Sequence, residues 1–199
     1  MILKRAIDVF GAALGLLLLA PVLMVIGVLV RVDSPGPVFF RQERVGHYGR
    51  TFRIHKFRTM VSDAPSRGAA ITAGGDPRIT RTGRWLRRYK LDELPQLFDV
   101  LAGDMSLVGP RPEVPRYVAA YPHDMRVRIL SVRPGMTDNA SLEFIHENDL
   151  LAGTADPERE YLEKILPVKL RYYLDYVEHR SVYRDVSILL RTVARIFWH

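Results

Sequence analysis

Hydrophobic and polar positions divide the chain into one long apolar run followed by short periodic segments. From Val9 to Val30 no residue carries a charge. As one helix this run would be roughly 33 Å long, enough to cross about 30 Å of lipid hydrocarbon. Asp33-Ser34-Pro35-Gly36-Pro37 is a turn cluster that stops it. Val38–Val45 and Thr51–Met60 read as short strands joined by the Gly-containing loop 46–50, so a β-hairpin is predicted. Residues 62–78 are rich in Gly, Pro, Ser and Ala and read as a loop. Helices are predicted over Arg78–Tyr89 and Leu94–Leu101, the second ended by Gly103. Asp156-Pro157 looks like an N-cap with Pro in the first helical position, opening a helical run to about Arg180 that Pro167 bends or restarts. In the last nineteen residues Arg184, Arg191 and Arg195 gather near one face, and Val186, Leu189, Leu190, Val193, Ile196 and Phe197 cover much of the rest. That helix either packs on the core or lies in a membrane interface with Trp198 at headgroup level.

Three readings compete for the apolar run. A secretory signal fits poorly, because the run is too long and no convincing small-x-small cleavage site precedes Arg31. A simple span fits the hydropathy. A re-entrant hairpin, entering and leaving by one face, is favoured by Pro21 at the middle and by basic residues at both ends, Lys4 and Arg5 before and Arg31 after. On the second and third readings the chain is membrane-bound.

Charge sharpens this picture. The chain of 199 residues carries 29 Lys and Arg against 22 Asp and Glu. The excess is regional: residues 41–90 hold 13 basic and 3 acidic residues, whereas 91–199 hold 13 and 17. Such a block suits an anionic partner, whether phosphate, lipid headgroup or nucleic acid. The absence of Cys excludes a thiol nucleophile, disulfides and Cys-ligated zinc. No Walker A loop, dinucleotide glycine fingerprint, HExxH or GxSxG is present, and the six His have no metal-ligand spacing.

The informative stretch is Arg84–Pro112, centred on Leu91-Asp92-Glu93-Leu94-Pro95. Pro95 belongs in a first helical turn, which puts Asp92 and Glu93 at a helix N-terminus. The ordinary explanation for acidic residues there is the helix dipole. Arg87 and Arg88 just upstream, and Arg111 held between Pro110 and Pro112, change the odds. An acidic pair among fixed cations is what phosphoryl chemistry on a metal–diphosphate requires, with one carboxylate attacking or holding metal and the cations offsetting phosphate charge. The basic neighbours and the helix dipole are expected to depress the Asp92 pKa.

These motifs resemble the bacterial sugar transferases, specifically the small monotopic phosphoglycosyl transferases. The resemblance covers nearly the whole chain: the apolar segment with its central Pro, DSPGPVFFRQERVG, FRIHKFRTM, ITRTGRWLRRYKLDELPQLFDVLAGDMSLVGPRP and VRPGMT. It implies the first membrane step of glycoconjugate assembly, in which a UDP-sugar gives its phosphosugar to an Asp and a polyprenyl phosphate, typically undecaprenyl phosphate, then takes it. Carried onto this chain, Asp92 is the nucleophile and Glu93 the Mg²⁺ ligand, with Lys56, Arg87, Arg111 and Arg133 on diphosphate or nucleotide. The implied fold is α+β. Residues 1–33 form a re-entrant membrane helix broken at Ala20-Pro21. Residues 34–199 form a helix-rich cytosolic domain with a short hairpin and a C-terminal amphipathic helix, on the inner membrane.

Two departures stand out. Ala20 replaces the family's usual Ser before the kink Pro, and Lys90 replaces a frequent Ser or Thr, weakening a cap while adding a cation. Asn139, Ser141 and Glu143 are candidate sugar contacts. The rival readings are a membrane-tethered nucleic-acid binder, whose affinity would fall steeply with salt, and a non-catalytic scaffold. No nucleic-acid partner is expected.

Overall fold

The structure is a computed structural model and describes residues 2–64, 76–145, 147–152, 154 and 156–197. Most of the expected loop at 62–78, and Trp198, lie outside the described residues. The first element is helix α1, Ile2–Asp33, which is long and apolar enough to cross a membrane. Pro21 lies inside it. The expected break at Ala20-Pro21 therefore does not interrupt the helix. A proline removes one ladder donor and displaces one carbonyl, and in a helix of 32 residues the remaining turns persist.

One stripe of α1 packs along the rest of the chain. Ala12, Leu16 and Leu19 join Ile54, Leu97, Val100 and Met105. Farther on, Leu23, Ile26 and Val30 join Phe57 and Leu86. The spacing of these residues is that of a single helical face. The opposite face leaves Leu14, Leu17, Leu18, Val22, Met24, Val25 and Val28 exposed.

Polar contacts fasten both ends of α1 to the same body. Near its start, buried Asp8 accepts from Ser106 Oγ at 2.9 Å and from the Leu107 amide at 3.1 Å. Lys4 donates to Asp185 Oδ2 at 2.6 Å and Arg5 to Val100 O at 2.7 Å. At the other end, Arg58, only 5% exposed, donates to Val30 O, Ser34 O, Ser34 Oγ, Pro35 O, Pro37 O and Ser62 Oγ. The last carbonyls of a helix lack intrahelical partners, and this guanidinium supplies one for Val30.

The predicted hairpin forms as β1, Phe39–Val45, antiparallel to β2, Thr51–Phe57. Strand β2 ends three residues earlier than expected because Arg58 turns in toward α1. After the isolated bridge Met60–Ile79 comes α2, Arg81–Arg88, whose Thr80 cap accepts from the Gly83 amide. A single 3-10 turn, Leu91–Glu93, leads into α3, Gln96–Ala102, which Gly103 closes in the left-handed region.

Strand β3, Ser106–Val108, runs parallel to β4, Gly135–Thr137, with α4, Pro115–Ala119, and α5, His123–Ile129, between them. Gly135 is required here, since a Cβ would overlap the Gly109 backbone. The chain ends in α6, Asn139–Glu143; α7, Glu147–Ala152; α8, Pro157–Glu160; α9, Leu166–His179; and α10, Val182–Phe197. Asp156 caps α8 as predicted, and a π turn over Tyr161–Ile165 joins α8 to α9 just before Pro167. Helix α10 packs Ile188 and Leu189 beside Val108 and Tyr176, while Val186, Leu190 and Val193 stay exposed. The architecture is α+β and helix-rich, as expected.

Candidate active site

Three elements converge beside the end of α1. The turn Leu91–Glu93 brings the two carboxylates, β2 brings Lys56, and the Pro110-Arg111-Pro112 loop brings a guanidinium. Lys56 Nζ donates to Glu93 Oε1 at 2.7 Å. Arg111 forks onto the same carboxylate, Nη1 to Oε2 at 3.0 Å and Nη2 to Oε1. A planar fork suits a carboxylate or a phosphate equally.

Backbone contacts hold the Arg111 loop. Pro110 O accepts from the Gly135 amide at 2.9 Å and Pro112 O from Arg44 Nη1 at 3.1 Å. Glu113 is buried; its carbonyl accepts from the Val45 amide and its Oε1 from the Tyr161 hydroxyl at 2.6 Å. Glu113 is thus a supporting residue that the sequence reading passed over, although it directly follows Pro-Arg-Pro. Thr59 is another: its hydroxyl accepts from Arg87 Nε at 2.8 Å and aligns that guanidinium.

Lys90 adopts left-handed backbone, φ 56°, and its side chain makes no cap bond, which agrees with the weaker cap expected there. The strained turn aims Asp92 inward, where it is buried.

The two neighbouring carboxyls have opposite environments. Burial alone would raise Glu93, but Arg111 and Lys56 hold it well below the usual carboxylate range. Asp92 goes the other way: burial raises it, the Glu93 charge raises it further, and Lys56, Arg87 and Lys90 only partly offset this. The expectation of a depressed Asp92 is therefore corrected. Desolvation outweighs the cations, because the closest of them are spent on Glu93. Burial likewise draws the Lys56 ammonium below its ordinary value, with Glu93 opposing.

Lys56, Arg87, Asp92, Glu93 and Arg111 thus come together. Arg133 does not join their hydrogen bonds; its Nε donates to Gly103 O at 2.8 Å, at the far end of α3. Among the candidate sugar contacts, Ser141 is bonded to the α6 cap Asp138 and Asn139 accepts from Arg191 at 2.7 Å. Glu143 is exposed. Ala20 and Pro21 lie in the lipid-like stretch of α1, remote in sequence from these groups.

Among the described residues no group of three or more His, Asp and Glu side chains gathers as a metal cage. Mg²⁺ needs none, since it is commonly held by one or two carboxylates together with substrate phosphates. Glu93 Oε1 carries two donors and Oε2 one. One lone pair on Oε2 is left, so the donor set fits an ion that arrives with a diphosphate.

The family model described as bacterial sugar transferase matches residues 1–199. A protein of Aeromonas hydrophila named UDP-N-acetylgalactosamine-undecaprenyl-phosphate N-acetylgalactosaminephosphotransferase is 37% identical over 98% of this chain and 43% of its own length. A UDP-glucose:undecaprenyl-phosphate glucose-1-phosphate transferase of Caulobacter vibrioides is 39% identical over 96% of this chain and 68% of its own length. The exopolysaccharide production protein PSS of Rhizobium leguminosarum is 37% identical over 97% of this chain and 94% of its own length. The chain thus spans less than half of the Aeromonas relative but nearly all of the Rhizobium one. With a family match from end to end and relatives of this similarity, the chain belongs to the bacterial sugar transferase family.

Proposed function

We propose that the chain transfers a sugar 1-phosphate from a UDP-sugar to a polyprenyl phosphate, of which undecaprenyl phosphate is the form in the names of two relatives. The observation that carries this reading is the pairing of a buried Asp92, to which no cation is hydrogen-bonded among the described residues, with an adjacent Glu93 clasped by Lys56 and Arg111. In the first step an Asp92 carboxylate oxygen attacks the sugar-bearing phosphorus. A P–O bond to Asp92 forms, the bond bridging the two phosphates breaks, and UMP leaves with that electron pair. In the second step an oxygen of the lipid phosphate attacks the same phosphorus. Polyprenyl diphospho-sugar departs and the Asp92 carboxylate is restored.

A carboxylate is a weak nucleophile, so positioning and charge stabilisation must supply most of the rate. Arg111 and Lys56 are placed to exchange Glu93 for phosphate oxygens, and Arg87 stands ready on its Thr59 support. Glu93 would hold Mg²⁺, which when bound neutralises diphosphate charge.

The site would face the cytoplasm on the inner membrane, with both ends of the continuous helix α1 on that same side. Support comes from Asp8 and Arg58, which fasten the two ends of α1 to one body. A simple span would carry those ends to opposite surfaces. The exposed face of α1 then meets lipid, and the carboxyl pair sits where a soluble donor and a lipid-tailed acceptor can both reach it.

Intact-mass measurement after incubation with UDP-sugar and Mg²⁺ tests the reading. A phosphosugar adduct on wild-type protein, lost in Asp92→Asn together with UMP release, is expected. Undiminished UMP release by Asp92→Asn would refute it.

A further inference from the structure

Outside the Glu93 cluster, a second contact joins the same two elements. Asp99, in the middle of α3 and 2% exposed, spends both carboxylate oxygens on His55 of β2. The His55 amide donates to Oδ2 at 2.8 Å and the ring Nδ1 to Oδ1 at 2.6 Å. Among the described residues strand β2 pairs only with β1, so this carboxylate satisfies an amide on an otherwise open edge. The other ring nitrogen, Nε2, meets Arg41 Nη1 at 2.5 Å, and Arg41 also donates to Arg53 O. Arginine only donates, so Nε2 accepts and the Nδ1 proton faces Asp99.

Asp99 is itself immobilised. Its carbonyl accepts from the amides of Gly103, Asp104 and Met105, each at 3.1 Å, which closes the end of α3 around it. The next residue after His55 is Lys56. Ile54 and Lys56 share one face of β2. Ile54 packs with Leu97 and Val100 of α3, and Lys56 reaches Glu93 just before α3 begins. Position along β2 therefore decides where the Lys56 ammonium stands.

We propose that His55 and Asp99 are positioning residues for the transfer reaction, holding β2 against α3 so that Lys56 meets Glu93. This rests on the transferase reading only for its effect on rate. Asp99→Asn replaces one acceptor oxygen by a donor that faces donors. It is expected to lower kcat about 10- to 100-fold with KM for UDP-sugar within about threefold, the scale of a small misplacement. His55→Asn, whose amide can still donate to Asp99, is expected to keep kcat within about threefold, whereas His55→Leu falls as Asp99→Asn does.

Because the pair acts through Lys56, adding Asp99→Asn to Lys56→Met should cost less than about twofold more. Equal losses in both backgrounds would mark a merely structural role and overturn the proposal. A second arm needs no substrate: acetic anhydride labelling of Lys56, read by peptide mass spectrometry. Slow labelling in wild type should become several-fold faster in Asp99→Asn, or in His55→Leu should Asp99→Asn fail to fold. Unchanged Lys56 labelling overturns the proposal whatever the activity. Wild-type protein that releases no UMP refutes the transferase reading instead and leaves the labelling result to decide this one.

Discussion

Replacing Arg58 by methionine removes the hydrogen bonds by which the residue after β2 holds the end of α1. Of its six oxygen contacts, those to Val30 O, Ser34 O and Ser34 Oγ involve buried residues that water replaces poorly. Leaving a buried acceptor unsatisfied costs about 1–3 kcal/mol. Three such groups, with partial relaxation, give a destabilisation of roughly 3–5 kcal/mol. For a chain of this size about 2–4 °C of Tm accompanies each kcal/mol, so a fall of roughly 6–20 °C is expected. Arg58→Lys keeps the charge but has three donors on one point and loses the fork, so about half that fall is expected. The assay is thermal unfolding of detergent-purified protein followed by tryptophan fluorescence, with Trp85 on α2 as a nearby reporter. An Arg58→Met protein melting within about 2 °C of wild type would show that these contacts do not hold α1, and the argument from them would fail.

Further outcomes follow from the site and from α1. Asp92→Asn should be inactive yet more heat-stable at neutral pH in chelator. The folded chain binds the Asp92 proton more tightly than the unfolded chain does. That contribution is present in acid and is lost as pH rises through the raised folded value, so the Asn variant should gain at pH 7 and lose its advantage toward pH 4; equal melting at both would refute the assignment. Arg111→Gln should lower kcat by about 10²–10³-fold, the scale for removing one preorganised charge donor. Arg133→Gln should change it less than about tenfold, because that side chain is bonded to Gly103; reversed magnitudes would contradict the geometry. Single cysteines placed at Leu3 and Val32 of this cysteine-free chain should both react with an impermeant thiol reagent from one side of sealed membrane vesicles. Labelling of the two from opposite sides would establish a span.

Local signals were read well because they are local. Two short strand-forming runs on either side of the Gly-containing loop 46–50 specify the hairpin, Asp156-Pro157 specifies a helix start, and Gly103 with φ +94° specifies a helix end. The basic residues around Asp92-Glu93 point to a charge cluster, and the fold does bring Lys56 and Arg111 onto Glu93. The pair β3–β4 escaped notice because three-residue strands show no period and their partners lie far apart in sequence. The direction of the Asp92 shift is not legible in sequence for a related reason. Sequence reveals how many cations are near but neither the depth of burial nor that Glu93 already holds two of them. Arg133 looked like Arg111 in composition, and only the fold separates them. Asp8 and Arg58 are single polar residues whose roles depend on partners up to 99 positions away.

The inner stripe of α1 has an unexpected practical corollary. Cutting the chain after position 33 to obtain a water-soluble catalytic fragment would strip the cover from Leu97, Val100 and Met105 at one end and from Phe57 and Leu86 at the other. Phe57 lies on β2 beside Lys56, and Leu97 and Val100 lie on α3, which the turn bearing Asp92 and Glu93 leads into. Such a fragment should clump or lose its shape, and exchanging the segment for an unrelated hydrophobic anchor should fail for the same reason. What looks from its composition like a detachable mooring is part of the packing that holds β2, α2 and α3 together.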